Sequence, residues 1–242
     1  MGTNDKTPRL LGAAFLGVVL TSLVSGVLFM SAAGSGSVSE ILAHVDANGA
    51  MAHVSFVAAM ANSVGILVLA ALLYVVLAGQ NRVIALVALG CWLGEAMFYA
   101  IGWIGVSGLI PLSQDFVKAG APDSSFFQTL GAFLYHDVYK LSGTVLMFFY
   151  CAGGLAWYFL FFRSRLVPRA IPAFGLVVVA VGLVASVLGL LGSDVPMAAY
   201  LPILPFELII GTWLLVRGVE HHPATSDASA GAAPGSVVVG VG

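Results

Sequence analysis

The chain has 242 residues, of which 60% are hydrophobic and only 8% charged, with a mean hydropathy of +1.04 and a net charge of -2. A soluble domain carries about 25% charged residues, so this chain has too little polar surface to cover a globule in water and must use lipid as its solvent. The small net charge, with no basic patch, excludes nucleic acid as a partner and leaves the lipid bilayer as the first one.

Six apolar runs approach the roughly 20 residues needed to cross a hydrocarbon core. They are 10–33, 53–78, 83–109, 136–162, 171–191 and 200–219. The expected fold is therefore an all-α membrane protein: six transmembrane helices in one bundle over 10–219, after a short N-terminus at 1–9. The first run ends in Ser31-Ala32-Ala33-Gly34, which loosely resembles a signal-peptide cleavage site. It is longer than a signal core and reads as a retained helix. Residues 34–52 form a small amphipathic segment, because Val38, Ile41, Leu42 and Val45 recur at helical spacing. Gly90-x-x-x-Gly94 in the third run has the small-residue spacing that lets helices approach closely. The connection at 110–135 contains Pro111, Gly120 and Pro122, then an apolar stretch from Phe126 that extends the fourth helix. Cys91 and Cys151 lie inside apolar runs, without CxxC or Cys/His finger spacing, and read as reduced buried thiols. Residues 220–242 form a tail, Ala/Ser/Gly-rich from Pro223 and expected to be disordered.

Basic residues set the orientation. Lys6, Arg9, Arg82, Arg163, Arg165, Arg169 and Arg217 all fall on one side of six spans. The other side carries Glu40, Asp46, Asp115, Asp123 and Asp194, with Lys118 as its clear cation. The positive-inside rule places both termini in the cytoplasm.

Glu95 and Glu207 interrupt otherwise apolar spans, where a carboxylate costs roughly 2.5–3.5 kcal/mol on insertion scales. At 1.5 Å per residue, Glu95 lies roughly 18–20 Å from the basic side and Glu207 roughly 15 Å. The two share a depth, although helix packing decides whether they face each other. Span four opens with Tyr135-His136-Asp137-Val138-Tyr139-Lys140. Two readings stand. In one, Lys140 snorkels outward and Asp137 neutralises it. In the other, His136 and Lys140 turn toward the glutamates, where a Lys–Glu pair offsets desolvation. His53 opens span two, and Asn62 lies inside it. Together, His53, Asn62, Glu95, His136, Lys140 and Glu207 sit at mid-depth or in the outer half, which suggests a polar cavity opening outward. Pro196, Pro202 and Pro205 crowd the start of span six. Either the regular helix begins near Pro205, or a kinked helix runs through it.

Arg9-Leu-Leu-Gly12, Glu95-Ala96, His136 with Gly143, and above all Phe206-Glu-Leu-Ile-Ile-Gly-Thr-Trp-Leu-Leu-Val-Arg-Gly218 are similar to a bacterial family of small membrane proteins. That family is known as domain of unknown function 4386, and the resemblance spans about 7–219. It implies six spans, two membrane carboxylates and residence in the bacterial cytoplasmic (inner) membrane. It implies no activity. It also implies an arginine three residues before the span-three glutamate, where this chain has Trp92, so Glu95 needs another partner.

Three functions fit. The first is a cavity that binds or moves a small solute or protons through Glu95 and Glu207, with a homo-oligomer supplying further walls. The second is a non-catalytic accessory or assembly subunit. The third is a metal- or haem-dependent enzyme with Glu95, Glu207, His53 and His136 as candidate ligands. No Glu-x-x-His spacing supports the third, no cofactor is strongly implied, and an enzyme is the less favoured class.

Overall fold

A computed structural model of the chain describes residues 6–123 and 126–217. The expected tail at 220–242 lies outside them. The elements in chain order are α1 (Lys6–Ala33), α2 (Val38–Ala47), α3 (Gly49–Leu77), α4 (Arg82–Lys118), α5 (Phe126–Ala132), a π-helical segment (Phe133–Lys140), α6 (Leu141–Ser164), α7 (Ala170–Leu190), a 3-10 turn (Met197–Ala199) and α8 (Ile203–Arg217). α5, the π segment and α6 form one continuous span, Phe126–Ser164. Six helices are long and apolar enough to cross a membrane, and no strand occurs among the described residues. The all-α, six-span expectation therefore holds.

The boundaries differ where tertiary packing overrides a local signal. α4 does not stop at Leu109 but runs through Pro111 to Lys118. Pro111 faces outward, so its missing N–H leaves only the Ser107 carbonyl without its helical donor. Burial of Ile110, Leu112 and Phe116 on the other face holds the helix together. At 37 residues α4 is about 55 Å long, well beyond a core of roughly 30 Å. α8 has only 15 residues, about 22 Å. It starts two residues before Pro205, after the 3-10 turn, so the irregular-start reading of span six is the one observed.

α2 confirms the amphipathic spacing: Ile41, Leu42 and Val45 are buried. A capping box starts it. Glu40 N–H donates to Ser37 Oγ, and Ser37 N–H donates to Glu40 Oε2 at 2.7 Å. That backbone donor, and then the Ser37 hydroxyl, hold the Glu40 carboxyl below its usual range.

The spanning helices form a ring in chain order, α1, α3, α4, α6, α7, α8, which closes where α8 meets α1. Neighbours run antiparallel. Gly102 and Gly94 of α4 meet Ser142 and Phe149 of α6, and Gly175 and Gly182 of α7 meet Phe206 and Ile203 of α8. Among the glycines, the closest approach to another helix's backbone is not at Gly90-x-x-x-Gly94, because Gly90 has open space beside it. It lies between α1 and α8, where a Cβ on Gly12 would collide with the Leu215 backbone nitrogen and lie 2.7 Å from the Gly211 carbonyl. Cys151 is buried and Cys91 partly so, both as free thiols.

The π segment is fixed by its closing bond, in which the Leu141 N–H reaches five residues back to the His136 carbonyl. α4 makes room for the bulge: a Cβ on Gly105 would be 2.9 Å from the Leu134 carbonyl oxygen. Residues five apart share a side of such a segment, and Lys140 Nζ sits 4.7 Å over the Tyr135 ring.

Two apolar cores stack along the bundle. One, toward the arginine-rich end, is built on Leu11, Phe15, Trp92, Trp157, Tyr158 and Phe206. The other joins Phe29, Trp103, Val106 and Phe116 to Ile41, Leu42 and Val45 of α2.

Candidate functional site

Between these cores lies a polar layer. The Thr21 hydroxyl donates to Asn62 Oδ1 at 2.8 Å, tying α1 to α3. The Ser25 and Tyr99 hydroxyls pair at 2.8 Å, tying α1 to α4. The Tyr150 hydroxyl donates to Glu207 Oε1 at 3.0 Å, which ties α6 to α8, and Tyr158 lies 3.4 Å beyond it. Glu95 is 7% exposed, and its Oε2 has no hydrogen-bond partner among the described residues.

Glu95 and Glu207 line one inner cavity of about 130 Å³, with Asn62, Tyr99 and Tyr150 as its other main polar walls. A cavity of that size accommodates a few waters or a small solute. A second cavity, of about 250 Å³, adjoins it at Ser22, Tyr99 and Leu146. It extends toward the α2 end and is lined by Trp103, Tyr139 and Lys140.

The expected site residues divide accordingly. Glu95, Glu207 and Asn62 meet in the inner cavity. Lys140 lines the outer one. His136 is exposed and packs edge-on against Tyr135, outside both cavities. His53 is exposed near the start of α3, where its Nδ1 donates to the Gly49 carbonyl at 2.8 Å. The proposed metal set, Glu95, Glu207, His53 and His136, is therefore not assembled, and no group of three His, Cys, Asp or Glu side chains suited to a metal occurs among the described residues. Asp137 and Lys140 do not pair either. The one ion pair among the described residues is Asp115–Lys118 at 3.7 Å, on the surface.

The site residues not anticipated are hydroxyls: Thr21, Ser25, Tyr99 and Tyr150. A depth argument reaches one of them, since Tyr150 is as far along the chain from Arg163 as Glu95 is from Arg82.

A family model described as "Domain of unknown function (DUF4386)" matches residues 10–218. The chain belongs to this family. No curated protein and no solved structure matches it. In this DUF4386 member, Trp92 occupies the position where the resemblance led us to expect an arginine. Its ring stacks on Tyr150, with centroids 5.8 Å apart, and its indole N–H donates to the Tyr150 carbonyl at 3.1 Å. Trp92 thus positions the tyrosine that holds Glu207 and gives Glu95 no cation. Glu95 itself borders the inner cavity.

Proposed function

We propose that the protein binds, and passes through the bundle, a proton or a small cationic solute, with Glu95 and Glu207 as its binding groups. One observation carries this reading: carboxylates from α4 and α8 line a single cavity, and Glu95 Oε2 has no protein partner. A carboxylate kept only as structural glue in lipid is satisfied by protein donors, as Tyr150 satisfies Glu207. Glu95 Oε2 has no such donor among the described residues, and its side chain borders the cavity in which a cation would offset its cost. The wider cavity at Tyr99 supplies a route toward the end opposite the arginines. Those arginines support an orientation with both termini in the cytoplasm, in a bacterial inner membrane.

The Tyr150–Glu207 bond favours a second reading, in which the carboxylates fix helix pairing within an assembly subunit. Reconstitution in liposomes with an internal pH dye and imposed proton or cation gradients separates the two. Under the first reading, Glu95→Gln and Glu207→Gln elute like wild type and abolish flux. Flux that is absent in wild type, or equal in all three proteins, would refute it. Loss of folding in both variants would favour the assembly role.

A further inference from the structure

The outer cavity differs chemically from the inner one. Its walls are the rings of Tyr99, Trp103 and Tyr139 and the small residues Gly26, Gly102 and Gly143. Trp103 meets Tyr139 with centroids 5.7 Å apart and planes at 75°, and Tyr99 at 6.1 Å. The Trp103–Tyr139 contact is edge-to-face, Phe29 packs against both rings at 5.6 and 5.0 Å, and aromatic walls of this kind attract weakly hydrated ammonium groups through their negative ring faces. The same aromatic cluster already holds one ammonium, since Lys140 Nζ rests over Tyr135, which stacks on Tyr139.

The cavity is also open at its side. α1 and α6 supply opposite walls, and their backbones stay apart. α8, which closes the ring lower down, begins only at Ile203, a wall residue of the inner cavity. Above that level no atom of another described helix lies within 4 Å of where a Cβ on Gly26 or Gly143 would stand, and about one turn further out Phe29 of α1 meets Tyr139 with centroids 5.0 Å apart and bounds the opening. The window therefore faces the surroundings of the bundle at the depth of its aromatic residues. Trp103 is about 31 Å along α4 from Arg82, which is the far interface of a hydrocarbon core of roughly 30 Å.

We infer that the outer cavity binds an organic ammonium head, trimethylated or otherwise alkylated, on the way to the two glutamates. This rests on the reading of Glu95 and Glu207 as a cation site and names its substrate class. The ammonium can belong to a free solute or to a zwitterionic lipid headgroup entering from the side. The walls select for cationic charge on a soft, apolar surface. A hydrated metal ion gains little from such rings, and a neutral molecule of equal shape lacks the attraction. Lys140 opposes the ligand, so its removal should help binding.

The test is calorimetry on the full chain in nanodiscs of anionic lipid without choline headgroups. Choline is compared with 3,3-dimethyl-1-butanol, its uncharged isostere. Binding of choline at least about 10-fold tighter than of the isostere is expected. Trp103→Leu and Tyr139→Leu should each weaken choline about 10-fold, Trp103→Phe should weaken it less, and Lys140→Ala should tighten it. Each variant must elute as wild type, and Trp103→Phe serves as the probe if Trp103→Leu does not. Equal binding of choline and the isostere, or choline binding unaltered in Trp103→Phe and Tyr139→Leu, would overturn the inference. For the lipid source, phosphatidylcholine added to the nanodiscs should compete with choline in wild type. If it does not compete while choline still binds, the source is a free solute. Glutamate-dependent proton or metal-cation flux without choline binding would defeat this inference and leave the cation site standing. Choline binding that is intact in Glu95→Gln and Glu207→Gln, with no glutamate-dependent flux, would do the reverse.

Discussion

Gly12→Ala tests the closure of the helix ring at a single methyl group. A Cβ at Gly12 would collide with the Leu215 backbone nitrogen, and it would lie 2.7 Å from the Gly211 carbonyl oxygen and 2.8 Å from the Leu214 carbonyl carbon. All three are backbone atoms, so no rotamer change relieves the clash. Ordinary contact for such a carbon is 3.4–4 Å, and α8 must retreat from α1 by roughly 1 Å, loosening close packing around Phe15. Overpacking costs about 1–3 kcal/mol, and here the upper end applies because the obstacle is main chain. Alanine regains up to about 1 kcal/mol of helix propensity, so the net loss is about 1–2 kcal/mol. Gly17→Ala is the control. It sits on the same helix with the same propensity gain, and no atom lies within 4 Å of its added carbon. The two variants should differ by about 2–3 kcal/mol, or roughly 4–12 °C in unfolding midpoint at about 2–4 °C per kcal/mol. Thermal unfolding in detergent, followed by tryptophan fluorescence, measures the gap. Coincident midpoints, or a more stable Gly12→Ala, would show that α1 and α8 do not meet as described.

Tyr150→Phe removes the donor to Glu207 Oε1 and should cost about 1–3 kcal/mol by leaving a buried acceptor unsatisfied. Tyr158→Phe, at the longer 3.4 Å contact, should cost less, and equal midpoints for the two would argue against the Tyr150–Glu207 bond. Gly105→Ala places a methyl 2.9 Å from the Leu134 carbonyl and should displace the π segment. Disulfide trapping between cysteines engineered at positions 102 and 142 would then slow relative to the parent, and an unchanged rate would count against the close fit. At α2 the Glu40 pKa is depressed on folding. Its stabilisation is complete above the ordinary carboxylate value of 4.5 and is lost as pH falls through the lower folded value. Amide protection factors in α2 should therefore fall in acid in wild type and stay flat in Glu40→Gln. Parallel profiles would remove the capping box as the cause.

Spans were legible because lipid demands uninterrupted apolar length, a signal that needs no knowledge of neighbours. α2 was legible because its surroundings differ on two sides, so Ile41, Leu42 and Val45 mark one face. Within the spans that contrast vanishes: residues facing lipid and residues facing protein are equally apolar, and periodicity no longer reveals which side touches what. This is why the Gly12–Gly211 contact leaves no mark in the sequence and the Gly90-x-x-x-Gly94 spacing is only a weak signal. The shared depth of Glu95 and Glu207 followed from counting, whereas their common cavity required the ring order. His53 and His136 looked like site residues by depth and proved exposed, because depth says nothing about azimuth. Trp92 hid the logic of the site in another way. Without a cation three residues before Glu95, the sequence suggests a distant partner, and the structure instead leaves Glu95 Oε2 unpartnered among the described residues, in a side chain that borders the inner cavity.

The band of hydroxyls, one amide and two carboxylates between the apolar cores has a mechanical meaning. Apolar packing is continuous within each core, the helix backbones carry the connection from one core to the other, and the hydrogen bonds of the band tie helix to helix within it. Cooperative units follow contact density, so the molecule is built as two slabs joined along a fault line. Force applied at the α2 end should release that slab first and leave the arginine-end slab folded. Any tilt that widens one cavity against the other has its natural plane of slip through Thr21, Tyr99 and Glu207.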